Sequence, residues 1–122
     1  MMKIALTAAA LAGAAALSAL APAAAHADTL RGEALSYGCM AFLNSRNIDG
    51  HDWVYYTTSN PTTTRTCEAW MVTYPPGHQH DFLTLYPLTD PTSNLYLDSG
   101  VQTAVCVDVP SIGGSTSCSV AY

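Results

Sequence analysis

Apolar and polar residues alternate in short runs through most of the chain, and turn-forming residues interrupt the runs about every eight to twelve positions. A period of two belongs to half-buried strands, because successive side chains of a strand point to opposite faces. No stretch shows the spacing of an amphipathic helix. The first predicted strand is CMAFLNS, Cys39 to Ser45, closed by RNIDGH, whose Asp49-Gly50 is a hairpin-turn dipeptide. The second, DWVYYTT, is rich in the aromatic and β-branched residues that suit a pleated surface. A polar SNPTTTR loop follows, in which Asn60-Pro61 starts a turn and Pro61 removes the Asn-x-Thr glycosylation reading.

The third strand, TCEAWMVTY, sets Cys67, Ala69, Met71 and Thr73 against Glu68, Trp70, Val72 and Tyr74. A bridged cysteine belongs inside, so the first set is expected to face the core. Trp70, Val72 and Tyr74 are then expected to lie partly exposed or under a loop. DFLTLYPL supplies a fourth strand, LYLDSGVQ and AVCVDVP two more around the Asp98-Ser99-Gly100 turn, and SCSVAY the last. Residues Asp28 to Tyr37 read as a short arm. Six to seven strands predict an all-β fold, a small disulfide-stabilised β-sandwich or Greek-key barrel.

The first 27 residues break the pattern. Lys3 precedes an Ala- and Leu-rich run that exits through Ala25, His26 and Ala27, the layout of a secretory signal peptide cleaved before Asp28. The run is long enough to cross a bilayer, but the small-residue exit, Pro22 and the lack of a basic stop-transfer cluster favour removal. With no lipobox cysteine and no twin-arginine pair, general export is expected. The chain thus divides into a signal peptide at 1–27 and a single small β-domain at 28–122, placed outside the cell, with no membrane insertion after cleavage.

A domain of about 95 residues stands near the size at which a hydrophobic core alone leaves a thin margin of stability. All four cysteines lie in it, and an even count in an exported chain implies two disulfides. Cys39 with Cys67 and Cys106 with Cys118 is the favoured pairing, because each closes a local loop between neighbouring strands. A zinc reading lacks any Cys-x-x-Cys pair. Only Arg31, Arg46 and Arg65 remain basic after cleavage, against nine acidic residues, so the formal charge moves from −5 to about −6. Phosphate backbones and anionic membranes both require clustered Lys and Arg, so no nucleic acid is expected as a partner.

The stretch YPPGHQHDF carries the one suggestive cluster of ionisable groups. His78 and His80 share one side of an extended segment, with His51, Asp52 and Asp81 as possible companions, and imidazole suits Zn²⁺ or Cu²⁺. A specific site also needs converging supporting groups, and a polar loop is the expected filling after Pro75-Pro76-Gly77. The reading is therefore no metal and no cofactor. No Gly-x-Ser-x-Gly elbow and no glycosidase-like carboxylate pair occurs, and Asp49 and Asp52 flank a turn, so no catalytic residue is assigned.

Aromatic residues are more suggestive: Trp53, Tyr55, Tyr56, Trp70, Tyr74, Phe82, Tyr86 and Tyr96. Some must form the core. In WVYY, however, Trp53 and Tyr55 share one face and Val54 and Tyr56 the other, and a thin domain does not bury both. An exposed Trp and Tyr row suits a protein or a sugar ring, since flat amphipathic side chains give large contact area at low entropic cost. Trp53, Tyr55, Trp70, Tyr74 and Arg65 are the candidate binding surface.

A first cysteine ahead of a WVYYTTSN strand, a cysteine in the strand after the polar loop, an LDSG turn and a VCVDV strand followed by a last cysteine resemble the small secreted spore-associated proteins of filamentous actinomycetes. The resemblance covers most of the domain and implies a non-enzymatic protein of the spore or cell surface. The segment WMVTYPPGHQHDF has no counterpart in that pattern, so no binding residue carries over. The expected function is that of a secreted, monomeric, non-enzymatic β-domain acting by surface interaction with protein or cell-surface glycan. The rival is a proteinaceous inhibitor of an extracellular amylase or protease, acting through the loop Ser59 to Arg65 or the PPGHQH turn; such inhibitors need a rigid protruding element.

Overall fold

A computed structural model describes residues 28–122, so the signal-peptide assignment at 1–27 lies outside the described residues. The domain is all-β, with two antiparallel four-stranded sheets packed as a sandwich and no helix among the described residues. The strands are β1 (Thr29–Ser36), β2 (Cys39–Ile48), β3 (His51–Ser59), β4 (Cys67–Tyr74), β5 (His78–Leu85), β6 (Tyr96–Leu97), β7 (Gln102–Asp108) and β8 (Ser117–Cys118). One sheet has the order β1-β2-β3-β6 and the other β5-β4-β7-β8, so the chain crosses between sheets after β3, β5 and β6.

The stretch expected to be an arm is a strand. Tyr37 and Gly38 both take positive φ, 47° and 90°, and so turn β1 directly onto β2. Two-residue turns of this hand match the twist of the strands they join. Asp49 and Gly50, at 53° and 80°, repeat the device between β2 and β3, as their sequence predicts. Gly32 sits in a tight place: a Cβ there would lie 3.0 Å from Ser119 Cβ, where β1 of one sheet meets the C-terminal segment of the other.

The expected inner face of β4 is correct: Cys67, Ala69 and Met71 are fully buried, packed with Leu43, Val54, Tyr56, Leu85, Val105 and Val107. The expectation for the opposite face fails at Trp70 and Val72. These are only 7% and 6% exposed and form a second small cluster with Cys106, because Phe82 stacks on the Trp70 indole at 5.7 Å and Cys106 is its direct neighbour on β7. Tyr74, at the strand end, is 42% exposed.

Both favoured disulfides form, but they do different work. Cys106–Cys118 joins the directly paired strands β7 and β8, as expected. Cys39–Cys67 instead ties β2 of one sheet to β4 of the other, through the buried core. By the loop-entropy relation, the 28-residue separation contributes about 3.6 kcal/mol and the 12-residue separation about 2.8 kcal/mol.

Candidate functional site

The sequence-derived binding residues occupy three separate places. Trp53 and Tyr55 stand on the outer face of the β1-β2-β3-β6 sheet, since Val54 and Tyr56 between and beyond them are buried in the core. Register adds Phe42 to them: Phe42 lies opposite Thr57, one step diagonal from Tyr55, which lies opposite Asn44. All three rings are half-buried, and the exposed side chains of Leu35 and Leu97 flank the row. The row alternates with polar groups, Asn44, Thr57 and Arg46, so the face is amphipathic.

Tyr55 is locked in place. Arg46 grips the Asp28 carboxylate with two hydrogen bonds of 2.9 Å, lies 5.4 Å over the Tyr55 ring, and the Tyr55 hydroxyl donates to the same carboxylate. Arg46 first and Tyr55 second hold the Asp28 carboxyl down at about 2, and the pairing pushes the Arg46 guanidinium up. A bidentate, charge-assisted fork of this kind fixes direction as well as distance.

Trp70 and Tyr74 belong to the other sheet's outer face, and Trp70 is covered. Arg65 sits in the loop after β3, donating from Nη1 to the Tyr37 carbonyl at 3.1 Å and stacking over the Tyr37 ring at 5.5 Å. The loop is braced from below by Asn60, which is 1% exposed. Its Nδ2 donates to the carbonyls of Arg65 and Leu85 at 2.8 and 2.9 Å, and its Oδ1 accepts from the Thr62 amide and hydroxyl at 3.1 and 2.7 Å.

His78 and His80 are not in a turn. Residues 75–77 make the turn, with the Gly77 amide donating to the Thr73 carbonyl at 3.0 Å, and both histidines open β5. Ala69 pairs with Leu83 but Met71 with His80, so β5 holds one extra residue in the Asp81-Phe82 stretch, and Asp81 takes φ 56°. That bulge reverses the alternation. An unbroken count of two would place His78 and His80 with Phe82 on the outer face; opposite Thr73 and Met71 they take the inward side of the strand instead, His80 half-buried and His78 exposed at the strand end.

The bulge is held across the sandwich. The Tyr56 hydroxyl, fully buried, donates to the Asp81 carbonyl at 2.5 Å and lies 3.1 Å from the Ala69 carbonyl. Burial, then the Asp81 charge, pushes the Tyr56 hydroxyl pKa up, so it stays a donor. The two imidazoles stack at 5.6 Å, His80 meets Tyr96 edge-on at 5.0 Å, and its Nε2 lies 2.8 Å from Thr73 Oγ1. Burial first and the His78 ring second press the His80 pKa below the ordinary histidine value.

Among the described residues no group of three or more His, Cys, Asp or Glu side chains gathers to hold a metal. His51, the possible third imidazole, pairs with Ile48 on the outer face of the other sheet, away from His78 and His80. No helix among the described residues is long and apolar enough to cross a membrane. No protein-family model, no curated protein and no solved structure matches this chain.

Proposed function

We propose that this protein is a secreted, non-enzymatic interaction domain that works at the cell envelope or spore surface. Its contact is the outer face of the β1-β2-β3-β6 sheet, and its partner is protein or cell-surface glycan. The observation that carries the reading is the row of Phe42, Tyr55 and Trp53, half-buried on the side away from the core, with Tyr55 fixed by Asp28 and Arg46. Core packing does not require flat rings there, and rings already held in place lose little freedom on binding. Asn44, Thr57 and Arg46 between the rings supply the donors and acceptors that a sugar or a peptide edge needs.

The test is retention of the purified domain on isolated walls and spores of the producing organism. Trp53→Ala with Phe42→Ala should lower retention at least about tenfold while the disulfides and the fold stay intact. Equal retention of the double variant and the parent would overturn the reading.

A second reading has its own support. The Asn60-braced loop that presents Arg65 is rigid in the way an inhibitor's contact loop must be. Strong inhibition of an extracellular amylase or protease, lost in Arg65→Ala, would favour it over the aromatic face.

A further inference from the structure

The two sheets do not close along their full length. At the centre of the sandwich the inward positions are large and apolar, Leu43, Tyr56, Met71 and Leu85, all fully buried. Toward the β4–β5 turn they become Thr73, Thr103, His78 and His80, which are shorter or polar. The space left is a cleft of about 390 Å³, walled on its apolar side by Val54, Tyr96, Leu97 and Val101. That volume lies within the usual range of small-molecule sites, and the wall chemistry is of the usual kind: mostly apolar, with a few convergent polar groups.

We propose that this cleft binds a small uncharged amphipathic molecule of the phenol type, whose ring fills the wedge and whose hydroxyl meets the His78–His80 pair. Three rings frame the space, the stacked imidazoles and the Tyr96 edge, which favours a flat occupant. The absence of charge follows from the surroundings. Asp81 stands beside His80 and Tyr96, Asp98 follows Leu97, no Arg or Lys lines the cleft, and the domain's formal charge is about −6, so an anion is disfavoured. A cation would lose its water against four apolar walls with no carboxylate lining the cleft. His80 Nε2 is engaged by Thr73 Oγ1, which leaves one ring nitrogen on His80 beside the His78 ring, and a ligand hydroxyl, able both to donate and to accept, can bond to either.

The cleft shares only Leu97 with the border of the aromatic outer face, and the experiment reads the cleft residues alone, so the two proposals are tested separately. The experiment is a ligand titration of the intact domain followed through the imidazole and tyrosine ring resonances, with p-cresol, toluene and 4-methylbenzoate as probes. Saturable shifts at His78, His80 and Tyr96 with p-cresol are expected, with His51 unmoved as the internal reference. Binding of 4-methylbenzoate should be at least about tenfold weaker, and Val101→Trp, which fills the cleft, should abolish the p-cresol shifts. No saturable shift up to about 5 mM, or unchanged shifts in Val101→Trp, would overturn the site. Toluene binding as tightly as p-cresol would overturn the role given to the histidines, and tighter binding of 4-methylbenzoate would overturn the assignment of an uncharged ligand.

Discussion

Tyr56→Phe removes a single oxygen and tests how the bulge in β5 is held. The Tyr56 side chain is fully buried, and its hydroxyl is the partner that the Asp81 carbonyl finds across the sandwich. Phenylalanine keeps the ring packed against the core but leaves that carbonyl without its donor. A buried polar group stripped of its partner costs about 1–3 kcal/mol. In a domain of this size each kcal/mol corresponds to roughly 4–8 °C in melting temperature, so a fall of about 4–24 °C is expected. The assay is thermal and urea unfolding of parent and variant with both disulfides oxidised. The same substitution should also disturb His78 and His80, whose inward direction depends on the bulge, and their ring resonances should move. A melting temperature within about 2 °C of the parent, with unmoved histidine signals, would refute the argument that Tyr56 holds the bulge.

Further outcomes follow from the same structure. Replacing Cys39 and Cys67 together by alanine should destabilise the domain more than replacing Cys106 and Cys118, because the first pair closes the longer loop and joins the two sheets; urea midpoints in the opposite order would contradict this. Asp28 has a carboxyl lowered to about 2, so its contribution is present above its unfolded value near 3.8 and is lost as pH falls toward 2. Asp28→Asn should therefore flatten the acid limb of stability across that window, and an unchanged limb would remove the Asp28–Arg46–Tyr55 lock. His80 has a lowered pKa, so the folded state takes up its proton less readily than the unfolded chain, and stability should decline as pH drops below about 6.5. The groups facing it are His78 and Asp81 on β5, Tyr96 on β6 and the Thr73 hydroxyl on β4, and only Asp81 opposes the loss. His80→Gln should remove that decline in a pH series of unfolding curves.

Much of the architecture is legible in the sequence. Alternation in TCEAWMVTY, joined to the need to bury a bridged cysteine, picked the inner face of β4 correctly. Asp49-Gly50 marked its hairpin, and the even cysteine count marked two disulfides, although the reason of neighbouring strands held for Cys106–Cys118 and not for Cys39–Cys67. β1 was harder to read, since its inward residues are Gly32, Ala34 and Ser36, too small to show a hydrophobic stripe. Its turn, Tyr37-Gly38, lacks the Asn or Asp that usually advertises one.

The candidate sites divide along the same line. The sequence by itself determined what each strand can offer: which residues alternate, which cysteines are close enough along the chain to pair, and that Trp53 and Tyr55 must share a face. These are properties of one strand, and the two-residue period of the backbone settles them locally. Tertiary structure alone decided that Trp70 is roofed by Phe82, that Trp53 and Trp70 belong to opposite surfaces, and that Cys39–Cys67 ties sheet to sheet. It alone turned His78 and His80 inward, because one extra residue in β5, held by a tyrosine from the other sheet, reversed a count that no neighbouring residue could have corrected.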